Sequence, residues 1–227
     1  MKKLLLLLVA LCASAFTAEI SGHGYRVTSD QAGTRIYYQG ILLQTNVFPS
    51  IVEGPGWKRA LLDDHDIRKA TAVVNAENQL EITYPGKTKE ATGHLKIAIS
   101  EAGVALTYSF EDTVAEVGVA DLWFCALPLE RFANQKYVVG NGDKEGILPT
   151  TKELETEKKS KWRLHNDTKE IAIQMPYGTL TISGDYMHLF DARFHGHLPA
   201  KGRTIAIRTD NHLKAGQNYR FKFSVKE

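Results

Sequence analysis

The sequence predicts an all-β chain: one antiparallel β-sandwich, of jelly-roll or supersandwich-like type, that follows a signal peptide. Three observations carry this expectation. Short runs of β-branched and aromatic residues recur between turns made of Gly, Pro, Asn and Asp. Within those runs apolar and polar residues alternate, as in Leu95, Ile97 and Ile99 against Lys96, Ala98 and Ser100. No repeat, linker or shift in composition divides residues 19–227, so they are read as one domain.

The first eighteen residues are read apart from the fold. Met1-Lys2-Lys3 is basic, Leu4 to Leu11 is apolar, and Ala13-Ser14-Ala15 is small, the layout of a secretory signal peptide. The apolar run is too short to span a bilayer as a helix. Cleavage suits either Ala15 or Ala18, and Ala18 is the preferred reading, which assigns residues 1–18 to the signal and starts the domain at Glu19. The expected location is therefore periplasmic or extracellular. Losing Lys2 and Lys3 lowers the 28 basic residues to 26, equal to the 26 acidic ones. Such a balance excludes the one-signed field of a nucleic-acid binder. Cys12 leaves with the signal and only Cys125 remains, so the mature domain has no internal disulfide and must rely on its core. Cys125 lies in the apolar run Leu122 to Leu127 and reads as an inert buried thiol rather than a nucleophile.

Taken in order, Gly24 to Ser29 and Arg35 to Tyr38 read as strands, and Gly40 leads into an extended Ile41-Leu42-Leu43. Glu53-Gly54-Pro55-Gly56-Trp57 breaks regular structure. Lys58 to Lys69 is the best helix candidate, short and polar. Strands follow at Ala72–Val74, Leu80–Tyr84, Leu95–Ser100 and Val104–Phe110. The continuously apolar Leu122 to Leu129 reads as a central strand ending at Pro128. Lys136–Val139, the turn Gly140-Asn141-Gly142-Asp143 and Ile147-Leu148-Pro149 form a hairpin. Lys152 to Lys161 is an almost wholly polar excursion, with Trp162 anchoring its return. Ile171–Met175 and Thr179–Ser183 flank a turn at Pro176-Tyr177-Gly178, and Tyr186–His197 and Thr204–Arg208 are further strands. In the last strand Tyr219, Phe221, Phe223 and Val225 alternate with Arg220, Lys222 and Ser224.

The stretch richest in chemistry is Asp191-Ala192-Arg193-Phe194-His195-Gly196-His197. As a strand it sets Asp191, Arg193, His195 and His197 on one face, with Ala192 and Phe194 on the other. This row suits a polyhydroxylated or acidic ligand, although a solvated sheet face has the same pattern. A second cluster, Trp57 with His65, Asp66 and Arg68, makes a ligand rim if its loop folds over the sheet; its alternative is a solvated connector. Trp57 and Trp162 sit beside polar loops and offer flat faces for the C–H side of a pyranose, whereas Trp123 reads as core. Lyase chemistry would use Arg193 to neutralise a uronate and His195 or His65 as base. Hydrolysis would need two carboxylates flanking the bond, drawn from Asp63, Asp64, Asp66 and Asp191. No metal site is assigned: Arg193 lies between the histidines, and the Asp63 to Asp66 loop lacks an EF-hand's spacing, which leaves a divalent cation as the only cofactor to consider.

Three stretches are similar to the β-sandwich accessory domains of secreted carbohydrate-active enzymes: the hairpin from Leu127-Pro128 to Leu148-Pro149, the run Gly178 to Arg193 ending in Asp191-Ala192-Arg193, and Leu213-Lys214-Ala215-Gly216 before an aromatic strand. They span the C-terminal half of the chain. The resemblance implies a supersandwich-like fold and a carbohydrate setting; no catalytic domain is expected beside it here, so it implies no activity. The function expected is carbohydrate binding through Asp191, Arg193, His195 and His197 together with Trp57, His65, Asp66, Arg68 and Trp162. The alternatives are a small lyase or hydrolase using His195, Arg193, Asp191 and His65, and a cell-envelope structural protein. The expected partner is a carbohydrate, with no nucleic acid and no membrane span.

Overall fold

A computed structural model describes residues 17–31, 33–44, 46–54, 58–62, 68–114, 117–125, 129–140, 142, 144–148, 163–191, 205–209 and 213–227. The chain opens with a four-stranded meander, β1 (Thr17–Gly22), β2 (Tyr25–Asp30), β3 (Gly33–Tyr38) and β4 (Ile41–Gln44). Its outer hairpins close with two residues each, His23-Gly24 and Gln39-Gly40, all at positive φ. This is the turn whose twist matches that of paired strands.

The larger sheet has thirteen strands. They are β5 (Asn46–Glu53), β6 (Arg59–Leu62), β7 (Thr71–Ala76), β8 (Gln79–Pro85), β9 (Ala91–Ser100), β10 (Gly103–Asp112), β11 (Val117–Cys125), β12 (Lys136–Val139), β13 (Lys144–Ile147), β14 (Arg163–Met175), β15 (Gly178–Asp191), β16 (Ile205–Thr209) and β17 (Tyr219–Lys226). One helical turn, α1 (Leu129–Phe132), separates β11 from β12. The main order is β6-β5-β11-β16-β15-β17-β10-β9-β8-β7, and β14 runs along the other edge of β15, carrying β12 and β13.

The long strand β15 divides this sheet into two halves. Thr179 to Gly184 pairs with β17, whereas Met187 to Asp191 pairs with β16. The change of neighbour falls beside Gly184, where an added Cβ would overlap the Phe221 ring. Two separate strands, Thr179–Ser183 and Tyr186–His197, were expected here; the first continues unbroken to Asp191, because Gly184 and Asp185 stay extended between their neighbours.

The core follows the alternation of the sequence. Leu80, Ile82 and Tyr84 of β8, Leu95, Ile97 and Ile99 of β9, and Tyr219, Phe221 and Phe223 of β17 are all buried. Phe223 is wholly enclosed, and truncating such a side chain to alanine costs about 3–5 kcal/mol. The first sheet covers this layer with Ile20, Val27, Ile36 and Leu43. The Tyr25 hydroxyl accepts a hydrogen bond of 2.7 Å from the Val225 amide, tying β2 to β17. Burial pushes the Tyr84 phenol far above the usual range, so it stays protonated beside Thr34.

The helix expected over Lys58–Lys69 is not formed. Arg59–Leu62 is the strand β6, paired with β5 through Ile51–Leu62, Val52–Ala60 and Glu53–Arg59. Leu61 and Leu62 are both fully buried, and Arg59 bridges Glu53 and Glu90 at 3.0 Å each. Tertiary pairing here outweighs local helical preference. Residues 63–67, and with them Asp63 and Asp64, lie outside the described residues, as does the polar excursion at Lys152 to Lys161.

Candidate functional site: the buried end of the long strand

At its second half β15 carries Met187, His188 and Leu189, all nearly inaccessible, with His188 only 3 % exposed. The register fixes what lies beside it. His188 is opposite Arg208 of β16, Arg208's strand sets Ile207 opposite Phe124 of β11, and Arg208 itself is opposite Trp123. Trp123 is in turn opposite Phe48 of β5. Directly opposed residues of an antiparallel sheet share a face and lie about 4.5–5.5 Å apart. His188, Arg208, Trp123 and Phe48 therefore form one row across four strands. Leu189 and Ile207, buried in the core, belong to the adjoining row on the other face. Two positions further along β11 and β5, Asp121 is opposite Ser50, on the same face as the first row.

This arrangement collects at neighbouring backbone positions an imidazole, a guanidinium, a carboxylate, a hydroxyl and two aromatic rings. Those are the groups that bind a polyhydroxylated ring, whose hydroxyls need forked polar partners and whose C–H faces need flat apolar ones.

A second polar pair has its side chains fully placed. Tyr137 of β12 and His165 of β14 are joined by a hydrogen bond of 3.0 Å between the phenol oxygen and Nε2. Their rings meet edge to face, with centroids 5.5 Å apart. Burial, and then the charge of Lys144, hold His165 below the usual imidazole range, so it is neutral at pH 7. Burial raises the Tyr137 phenol, which keeps its proton. Gly146 is opposite Tyr137 in β13, and an added Cβ would stand 2.6 Å from the phenol oxygen, so only glycine leaves room for the ring. His165 is opposite Leu189, whose face of the sheet is the one away from the His188 row.

A shallow depression of about 210 Å³ lies on the outer face of β8, β9 and β10, lined by Gln79, Glu81, Lys96 and Thr107 over Ala98 and Ala105. Lys96 and Glu81 pair across it at 3.7 Å.

Of the residues singled out in the sequence, two fall among the described ones. Asp191 ends β15 opposite Ile205. Arg68 is exposed in a single turn before β7, with β17, β10, β9 and β8 intervening between that strand and β15. Trp57, His65, Asp66, Trp162, Arg193, His195 and His197 lie outside the described residues. His188, Arg208, Tyr137 and His165 were not singled out, and Trp123 was read only as core. One signal was present for His188: an imidazole set within the apolar run Met187-His188-Leu189-Phe190. Among the described residues no three His, Cys, Asp or Glu side chains stand together to hold a metal ion. No described helix is long and apolar enough to cross a membrane.

No protein-family model matches the chain, and no curated protein does. Solved structures do match its fold. A galactose mutarotase-like protein from Lactobacillus casei aligns over 93% of this chain and 100% of its own, with a TM-score of 0.59 and 9% identity. A putative aldose 1-epimerase from Escherichia coli covers 93% of this chain and 99% of its own, with a TM-score of 0.57 and 10% identity. An alpha-N-acetylgalactosaminidase from Bifidobacterium bifidum aligns over 93% of this chain and 36% of its own, with a TM-score of 0.58 and 9% identity. At these identities the likeness establishes the fold, and the chain has the β-sandwich architecture found in galactose mutarotase-like proteins and in a larger carbohydrate-active enzyme.

Proposed function

We propose that this chain is an exported protein that binds an oligo- or polysaccharide at the end of the sandwich where β5, β11, β16 and β15 lie side by side. The row His188–Arg208–Trp123–Phe48, with Asp121 and Ser50 beside it, carries the reading. The residue types in this row suit a sugar: a guanidinium and a carboxylate can fork its hydroxyls, and aromatic rings match its C–H face. Asp191 ends β15, and Arg193, His195 and His197 follow it in sequence. The fold supports a carbohydrate ligand because its solved neighbours include sugar-handling enzymes.

A second reading, a sugar-modifying enzyme, is favoured by one observation: the neutral His165 bonded to a protonated Tyr137 is a proton-transfer pair of the kind that acid–base chemistry on a sugar requires. Screening the protein on an oligosaccharide array, then incubating it with the ligands it retains, separates the readings. Binding with unchanged sugar supports the first. Anomer interconversion followed by polarimetry, or cleavage seen by product analysis, supports the second. No retention of any glycan on the array overturns the first reading, and with no anomer exchange or cleavage either, both fall.

A further inference from the structure

We propose that the outer face of the first sheet carries a second saccharide site, centred on Thr28 and taking one neutral pyranose of a glycan. This rests on the carbohydrate reading above but places a site on the other sheet, apart from β15. Strand β2 sets Val27 and Ser29 in the core and Arg26, Thr28 and Asp30 on the outer face. Thr28 is nevertheless only 8% exposed, and its buried hydroxyl has no hydrogen-bond partner among the described residues. A hydroxyl shut away from water and left unpaired is costly, and such groups are rare in folded proteins. The register gives its surroundings. Glu19 of β1 and Arg35 of β3 stand opposite Thr28, and Arg26 and Asp30 flank it along β2. Arg35 bonds Asp30 at 2.9 Å. Arg26 pairs with Glu19 at 3.5 Å and lies over the Tyr37 ring, 4.3 Å from its centre.

The class of ligand follows from these groups. Two guanidiniums with spare N–H donors and two carboxylates with spare lone pairs ring a hydroxyl that can donate or accept. The hydroxyls of a sugar also donate and accept, so they complement this mixed set. An anion would meet two carboxylates as well as two guanidiniums and gain little. Entry lies over the Arg26–Glu19 pair, whose side chains are both about half exposed. An exposed ion pair contributes little, so Arg26 is free to turn toward a ligand hydroxyl. Its departure bares the Tyr37 ring for the C–H face of the pyranose. It also opens the Thr28 hydroxyl to a ligand oxygen, which supplies the partner that the free protein lacks.

Amide NMR of the intact protein tests this, by titration with the methyl glycosides of glucose, galactose and mannose, and with methyl glucuronide as the anionic comparison. At least one neutral glycoside should shift the amides of Arg26, Thr28, Arg35 and Tyr37, with millimolar affinity. Thr28→Val keeps the branched shape and removes the hydroxyl, so binding at these amides should weaken by about fivefold or more, the worth of one hydrogen bond. Its melting temperature should hold or rise, because the hydroxyl removed has no partner in the free protein. Arg208→Ala, on the other sheet, should leave the shifts in place. Shifts at Thr28 with none along the β5–β11–β16–β15 row would sustain this site and remove the other. Shifts along that row alone overturn this proposal and leave the proposed function standing. A response to methyl glucuronide only, or an affinity unchanged by Thr28→Val, also overturns it. So does a clear loss of stability in Thr28→Val, which would show the hydroxyl to be bonded within the fold.

Discussion

Tyr137 and His165, on β12 and β14, share a hydrogen bond of 3.0 Å although the strand register sets Tyr137 opposite Ile173. The contact therefore depends on the irregular course of β14, whose pairing with β15 shifts between Arg163 and His165, between His165 and Thr168, and between Thr168 and Glu170. Register shifts of this kind bend a strand locally and change which residues its neighbours meet. The polar pair is a product of bulges, and its energetics can be measured through them.

His165 gives a pH dependence with a definite sign. Its folded-state pKa is lowered, first by burial and then by Lys144. Below the unfolded imidazole value the unfolded chain takes up a proton that the folded one resists, so the unfolded state gains. Stability from this residue is complete above about pH 6.5 and falls as the pH drops toward the folded pKa. Histidine NMR titration should place the His165 midpoint below that of a free imidazole, and His165→Gln should flatten the fall in melting temperature across this window. A midpoint raised above the free value would contradict the assignment.

Gly146 should tolerate no side chain while Tyr137 is present. A Cβ at Gly146 meets the Tyr137 oxygen at 2.6 Å and Cζ at 2.7 Å. Overpacking of this kind costs about 1–3 kcal/mol, so Gly146→Ala should lower the denaturation midpoint accordingly. In a Tyr137→Ala background the same substitution should cost much less, and the double-mutant cycle should report the coupling. Additive losses would mean that the strain lies in the β13 backbone instead.

How far the fold could be read in advance depended on whether the signal was local. The hairpin of β12 and β13 was legible because Gly140 and Gly142, both at positive φ, mark its turn within four residues of each strand. Likewise Tyr219, Phe221 and Phe223 announced their burial by simple alternation. β6 was missed because Arg59–Leu62 is held by Ile51 to Glu53 across a Gly-Pro-Gly break, and the polar run after Lys58 gives no local sign of that pairing. The same limit hid the row of His188, Arg208 and Trp123, which three strands distant in sequence build through register alone. Trp123 read as core because its neighbours Leu122 and Phe124 are apolar, and its pairing with Arg208 is visible only through register.

The start of the mature chain is open to a direct check. Thr17 and Ala18 belong to β1, opposite Asp30 and Ser29, and Ala18 is 6% exposed. Cleavage after Ala18 would remove two of the six paired positions of that strand. If the chain is exported as proposed, processing after Ala13-Ser14-Ala15 keeps the whole strand, and intact-mass analysis of the secreted protein should find Phe16 at the N-terminus. A mass beginning at Glu19 would show that β1 functions with four residues.

The central claim, a carbohydrate site built on the β5–β11–β16–β15 row, is tested most directly by calorimetric titration of the best array ligand into Arg208→Ala and Trp123→Ala, with Lys222→Ala on β17 as the control. Arg208→Ala and Trp123→Ala should each weaken binding by roughly tenfold or more, with each variant's own melting curve confirming that it is folded at the temperature of titration. Lys222→Ala should bind as the parent does. If both row variants bind normally, or if Lys222→Ala alone loses the ligand, the sugar binds elsewhere on the sandwich.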